Sequence, residues 1–151
     1  DHEVVDAIGR PNGFNPGPPL FCPLRSVLVH YDTIAKTVVA HRYDSAAKKL
    51  TPLWRREYRN TVQMMVYADT GELVLEDSPR VMSFTPGPVP SGSIVVVDIE
   101  TGAELGRAPF NERGTMGMFL CPGFDRDFYA CSIAGTVTRV FVEKSGCGSK
   151  L

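Results

Sequence analysis

Hydrophobic and polar positions along the chain fall into short apolar runs broken by polar turns. One unit returns with drift: a strand, a tight polar turn and a second strand. It is clearest from Val62 to Glu76, where an apolar run to Ala68 meets Asp69-Thr70-Gly71-Glu72 and Leu73-Val74-Leu75 brings the chain back. Such a pattern predicts a hairpin. Ser93 to Pro109 repeats it, with Ile94-Val95-Val96-Val97 running into Asp98-Ile99-Glu100-Thr101-Gly102 and Ala103 to Arg107 returning. The glycine of each turn is expected at positive φ, and both turns are expected in solvent on the face opposite the connection from Asp77 to Gly92. A single hairpin cannot bury its own apolar face, so at least three must stack.

The β-branched and aromatic runs Ser26 to Tyr31 and Thr37 to Tyr43 predict two earlier strands. A polar turn from Asp44 to Leu50 follows, with room for one helical turn over Ser45 to Lys49, and Pro52 to Tyr58 alternates as an outer strand. A third set reads Gly117 to Cys121, a turn through Asp127, Phe128 to Ile133 and Thr136 to Val142; its fourth strand is missing. The prolines between Pro11 and Pro19 make residues 1–24 an irregular lead-in, and residues 144–151 form a flexible tail. Antiparallel four-stranded sheets at a period of about 40–50 residues are the blades of β-propellers. The expected fold is therefore all-β, with blades at about 25–59, 60–110 and 111–143; three hairpin pairs folded back as one β-sandwich are the alternative.

Propellers need four or more blades, and this chain supplies about two and a half to three. The expectation is a partial ring or C-terminal fragment, completed by missing sequence, a partner chain or a second copy of itself. A beginning at Asp1 without methionine favours the fragment. An apolar ladder of Phe119, Leu120, Phe128, Tyr129, Val140 and Phe141 has to be covered, and Glu3 to Ile8 could be donated as a strand.

Composition narrows the partners. Sixteen basic against 17 acidic residues leave a net charge of -1, which argues against a nucleic-acid partner. No apolar run reaches the roughly 18 residues of a membrane span, so a soluble chain is expected. The four cysteines, at 22, 121, 131 and 147, match no short metal-ligand spacing. Cys121 and Cys131 could be hairpin neighbours or plain core thiols, and Cys147 a free thiol or a partner for Cys22. Their redox state and the compartment stay open, secretion included.

The turn Asp98-Ile99-Glu100-Thr101-Gly102 before a last strand, together with Pro52-Leu53-Trp54-Arg55, resembles the blades of quinoprotein-type (PQQ-like) propellers over about residues 25–143. That resemblance implies the propeller fold and, in its enzymes, quinone-dependent oxidation of alcohols or sugars. The first copy departs from it with Asp44-Ser45-Ala46-Ala47-Lys48-Lys49 in place of the Thr-Gly turn, and the second copy lacks the tryptophan.

In a propeller the connections from second to third strands and from blade to blade share one face. Here these are Arg59-Asn60, Asp77 to Gly92, Phe110 to Gly114 and Ala134-Gly135. A connection of about 16 residues is long enough to suggest function. Arg59, Arg80, Met82, Phe84, Asn111 and Arg113 are the candidate ligand contacts, although Met82 and Phe84 read equally well as plugs onto the sheet. Glu76, Asp77, Asn60 and Glu112 supply the oxygen ligands that calcium takes, similar in residue type to metal-centred propeller lactonases. His30 and His41 are expected as cross-strand neighbours. Trp54 is expected between blades, with Arg56 and Arg59 on solvent, on acidic neighbours or as a clamp for a carboxylate. No nucleophile, zinc-protease or phosphate-loop motif is present. The function expected is binding of a ligand or protein; the alternative is part of a metal- or quinone-dependent lactone hydrolase or dehydrogenase.

Overall fold

Eleven strands account for every regular element of the described residues, in a computed structural model that describes 18–32, 34–59, 61, 64–77, 92–110, 118–124, 126–132 and 137–141. The first blade contains β1 (Leu20–Cys22), β2 (Val27–Asp32), β3 (Thr37–Asp44) and β4 (Lys49–Glu57). The second contains β5 (Met64–Tyr67), β6 (Glu72–Asp77), β7 (Gly92–Asp98) and β8 (Glu104–Phe110), and the third β9 (Met118–Pro122), β10 (Phe128–Ser132) and β11 (Val137–Val140). In each sheet the strands lie in chain order and pair antiparallel. The first strand of the second blade, β5, touches both β1 and β9, so the three sheets share an inner edge.

Strand alternation explains the stacking. In β2, Val27, Val29 and Tyr31 are buried while Leu28 and His30 are half-buried on the other face. The buried set joins Leu73, Leu75, Val95, Val97 and Ile99 of the second blade in one core. The opposite face of that blade places Met65, Val74 and Ile94 against Phe128 and Ala130 of the third. A middle sheet packed on both faces is a stack of blades. A two-layer sandwich gives each sheet one inner face, so the sandwich alternative falls.

The turns obey one rule that the sequence shows only in part. Asp32, Asp44 and Asp98 each close a strand and accept at Oδ1 from the backbone N–H groups two and three residues on, at 2.8–3.0 Å. Four residues after each comes a positive φ: 53° at Lys36, 49° at Lys48 and 70° at Gly102. The Asp44 turn is thus the counterpart of the Asp98 turn without its Thr-Gly, and the helical turn expected over Ser45 to Lys49 does not form. Lys36 and Lys48 bear the left-handed conformation at a cost of about 1–2 kcal/mol each, which the glycine at 102 escapes.

Other expectations need correction. The lead-in expected over residues 1–24 already contains β1, which pairs with β2 through Leu20 opposite Val29. Gly71 and Gly102 have the expected positive φ, 75° and 70°, and their turns lie at the opposite end of the sheet from Asp77 and Gly92. Asp69, Thr70 and Thr101 are exposed, but both glycines are buried, Gly71 beneath Arg25 and Gly102 beneath Trp54. The expected apolar ladder is split by alternation. Phe128 is buried and Leu120 and Val140 pack on the second blade, whereas Phe119 and Phe141 remain exposed. The donated strand expected from Glu3 to Ile8 and the tail with Cys147 lie outside the described residues.

Candidate functional site

The rim that carries the β2–β3 and β6–β7 connections is organised by Asp77, the last residue of β6. Glu72, Leu73, Leu75 and Asp77 show how it gets there: period-2 alternation sends 73, 75 and 77 to the face covered by the first blade. The chain leaving β4 then delivers Arg59 to it. Arg59 donates from its backbone N–H to Asp77 Oδ1 at 2.9 Å, from Nε to the same oxygen at 3.2 Å and from Nη2 to the Asp77 carbonyl at 3.0 Å. From β8, Arg107 donates through Nη1 to Asp77 Oδ2 at 2.7 Å and pairs with Glu104 at 2.9 Å. Tyr31 Oη and Lys36 Nζ both donate to the Arg59 carbonyl, at 3.3 and 3.4 Å, and Thr61 Oγ1 to the Glu76 carbonyl at 2.8 Å.

The Asp77 side chain is 9% exposed, against 50% for Arg59 and 37% for Arg107. Burial alone would raise its pKa, but hydrogen bonds from Arg107 and Arg59 outweigh that and hold it below the usual carboxylate value. Asp77 is therefore a fixed anion with two guanidinium partners. Such a group anchors a rim and is a poor proton acceptor. Glu76, its neighbour on the strand, points by alternation to the other face. Among the described residues no three His, Cys, Asp or Glu side chains gather as a metal site.

Of the sequence-predicted residues, Arg59 and Asp77 meet. Arg80, Met82, Phe84, Asn111, Arg113, Asn60 and Glu112 lie outside the described residues. Arg56 and Arg59 do not form a pair: Arg56 donates from Nε to the Gly102 carbonyl at 3.2 Å. Trp54 stands between blades as expected, with Nε1 donating to the Ile99 carbonyl at 2.8 Å. His30 and His41 stack with centroids 5.6 Å apart and planes 12° from parallel. They are diagonal rather than directly opposed, since His41 faces Leu28 and His30 faces Val39. Cys121 and Cys131 are likewise diagonal, opposite Tyr129 and Phe119, and both are free thiols.

Sequence reasoning missed two arginine sites. Arg107 was visible only as a strand residue three positions from Glu104, a spacing that does not reveal Asp77. At the opposite rim Glu100 accepts from Arg25 at 2.9 Å and Arg42 at 2.7 Å, which ties the first blade to the second. Arg25 comes from the β1–β2 turn and Arg42 from β3, so no local motif announces them.

No protein-family model matches the chain, and no curated protein matches it. Among solved structures, it is similar to a Bacteroides fragilis protein provisionally assigned as a 6-phosphogluconolactonase, at 14% identity and a TM-score of 0.55. The match covers 85% of this chain and 38% of that one. The chain thus spans well under half the length of the structure it resembles, and at this identity the likeness is one of fold. The fold is that of propeller blades, all-β and antiparallel. Among the described residues there is no helix long and apolar enough to cross a membrane.

Proposed function

We propose that the chain is a ligand-binding segment of a β-propeller and forms part of a larger ring. The observation that carries this reading is the locked Arg59–Asp77–Arg107 cluster at the root of the connection from Asp77 to Gly92. A long connection is useful for recognition when its ends are held by a rigid scaffold. Arg59 keeps half of its side chain in solvent after pairing with Asp77, enough for its outer edge to meet a carboxylate. Arg80, Met82, Phe84, Asn111 and Arg113 are the proposed companions, through stacking, apolar contact and hydrogen bonds. The test is a titration of the labelled chain with a sugar-acid carboxylate such as gluconate, read by amide chemical shifts. Shifts centred on Arg59 and residues 78–91, and abolished in the Arg59→Gln, Arg80→Gln variant, are expected. Shifts confined to Asp69–Thr70 at the opposite rim would overturn the reading.

A second reading is favoured by the fold likeness to the Bacteroides protein: a contribution to lactone hydrolysis. Calcium held by Asn60, Glu76 or Glu112 would polarise the lactone carbonyl. Asp77 is less suited, being already paired with two arginines. The PQQ-like resemblance gives the corresponding dehydrogenase version. Proton release from a δ-lactone, with and without added calcium, tests the hydrolase, and rates equal to buffer in both would remove it.

A further inference from the structure

The blades of this arc stack in one direction. The first blade lays Val27, Val29 and Val38 on a face of the second built from Leu75, Val95 and Val97, and the second lays its other face on the third. Among the described residues two apolar faces have no blade against them. On the first blade Phe21, Leu28, Tyr43, Lys48 and Leu50 line a groove of about 380 Å³, with Phe21 46% exposed. On the third blade Phe119, Val137 and Phe141 are 54%, 63% and 61% exposed.

The two leftover faces are of opposite kind. Asp44 and Asp98 close equivalent turns, so counting back along β3 and β7 sets Tyr43 and His41 where Val97 and Val95 stand. Leu28 lies opposite His41 as Leu75 lies opposite Val95. The groove therefore occupies the position of the second-blade face that the first blade covers. Its natural complement is a face of the covering kind, and that is the kind the third blade leaves open.

We infer that the groove on the first blade receives the outer face of the third blade of a second copy of this chain, head to tail. The inference rests on reading the chain as part of a ring. The occupied seam is the template, and one residue selects among occupants. At Gly102 a Cβ would lie 2.7 Å from Trp54, which is carried on a fourth strand. The counterpart of Gly102 in the first blade is Lys48, whose Cβ leaves no place for an incoming tryptophan there. A covering blade with a Trp54 counterpart is excluded. The third blade brings no tryptophan to that vertex, because Trp54 of the first blade is the chain's only one. Two head-to-tail contacts related by a twofold axis close two arcs into one assembly.

Sedimentation equilibrium of the full chain across a concentration series tests this. The wild type is expected at twice the 16.5 kDa of one chain. Phe21→Asp and Phe119→Asp, both at exposed positions, should each sediment as single chains with unchanged circular dichroism. Val137→Asp serves in place of Phe119→Asp if that variant misfolds. An equimolar mixture of the Phe21 and Phe119 variants keeps one intact pair of faces and should form a one-to-one complex, weaker than the wild type. A wild type at single mass overturns the second copy, as does a mixture that stays dissociated. A Phe119 variant that remains dimeric while the Phe21 variant dissociates would mean groove against groove and also overturns it. The gluconate titration reads the opposite end of the sheets and does not depend on mass, so the two proposals fail separately.

Discussion

Where the first blade meets the second, twelve buried residues share one core, and polar latches close it at both ends. Glu100 takes Arg25 and Arg42 at one rim, Asp77 takes Arg59 and Arg107 at the other, and Trp54 and Arg56 cross to the Ile99 and Gly102 carbonyls. Where the second blade meets the third, five buried residues among those described do the same work. Tyr67 Oη donates to the Asp127 carbonyl across it, and Arg126 pairs with Glu72. The first seam is specified by side chains that fit one partner position; the second is held mainly by Phe128. Burial scales with apolar area removed from water, so the second seam should open first.

Gly102→Val attacks the first seam where it is tightest, and should have the largest effect. The residue sits at φ 70° and its new side chain would start 2.7 Å from the indole. Strain at positive φ and overpacking together cost about 4 kcal/mol. Gly106, on the same blade, has nothing within 4 Å of a built Cβ, so Gly106→Ala should stay within about 0.5 kcal/mol. Thermal melting compares the two. Equal melting temperatures would show that Trp54 does not rest on the Gly102 turn.

Phe128→Ala attacks the second seam and should cost about 3 kcal/mol through transfer and cavity terms. The effect should also be local. Hydrogen exchange should quicken at Ala130 and its neighbours while Leu73–Leu75 and Val95–Val97 stay protected. A uniform loss of protection would mean that the seams open as one unit, and the contrast between them would dissolve.

That contrast was legible in the sequence only on the apolar side. Apolar and β-branched runs in β2, β6 and β7 marked the strands, and Asp98 to Gly102 marked a turn, because these signals act over a few residues. Positive φ at Gly71 and Gly102 followed from the turn chemistry. Burial of the same glycines did not, since it depends on Arg25 and Trp54, which reach them from another blade. β1 was hidden because three residues after a proline run carry too short a pattern to register. Residue type alone makes Asp77 a candidate metal ligand; its arginine partners lie 18 and 30 positions away. Pairing at that range is set by how the sheets stack.

The Asp77 cluster gives a smaller test of the first seam. Its folded pKa is depressed, so its stabilisation is complete above the ordinary value of 3.8 and is lost as pH falls from there through the folded pKa. Asp77→Asn should remove that acid limb and cost about 1–2 kcal/mol at neutral pH. Arg59 is half in water and can resolvate, which keeps the loss modest. Urea unfolding at neutral pH and in acid measures both; an unchanged acid limb in the variant would assign it to other carboxylates.

The smallest effect belongs to the face of the first blade that its own seam leaves uncovered. Burial lowers the His30 pKa, the stacked His41 and Arg55 lower it further, and Asp32 opposes them. The folded state therefore takes up this proton less readily than the unfolded chain. Stability should be full above the ordinary histidine value of 6.5 and decline as pH falls below it, levelling off beneath the folded pKa. Because His30 is only half-buried, solvent screening holds the loss under about 1 kcal/mol. His30→Gln removes one titrating ring of the stacked pair and should flatten melting temperature between about pH 7 and 5, while leaving the Asp77 limb in place. If a covering blade takes His30 and His41 further out of water, the wild-type decline should steepen with protein concentration, and in Phe21→Asp it should not. A concentration-independent slope in both would mean that no second copy covers these histidines, and that this face of the first blade is not a seam.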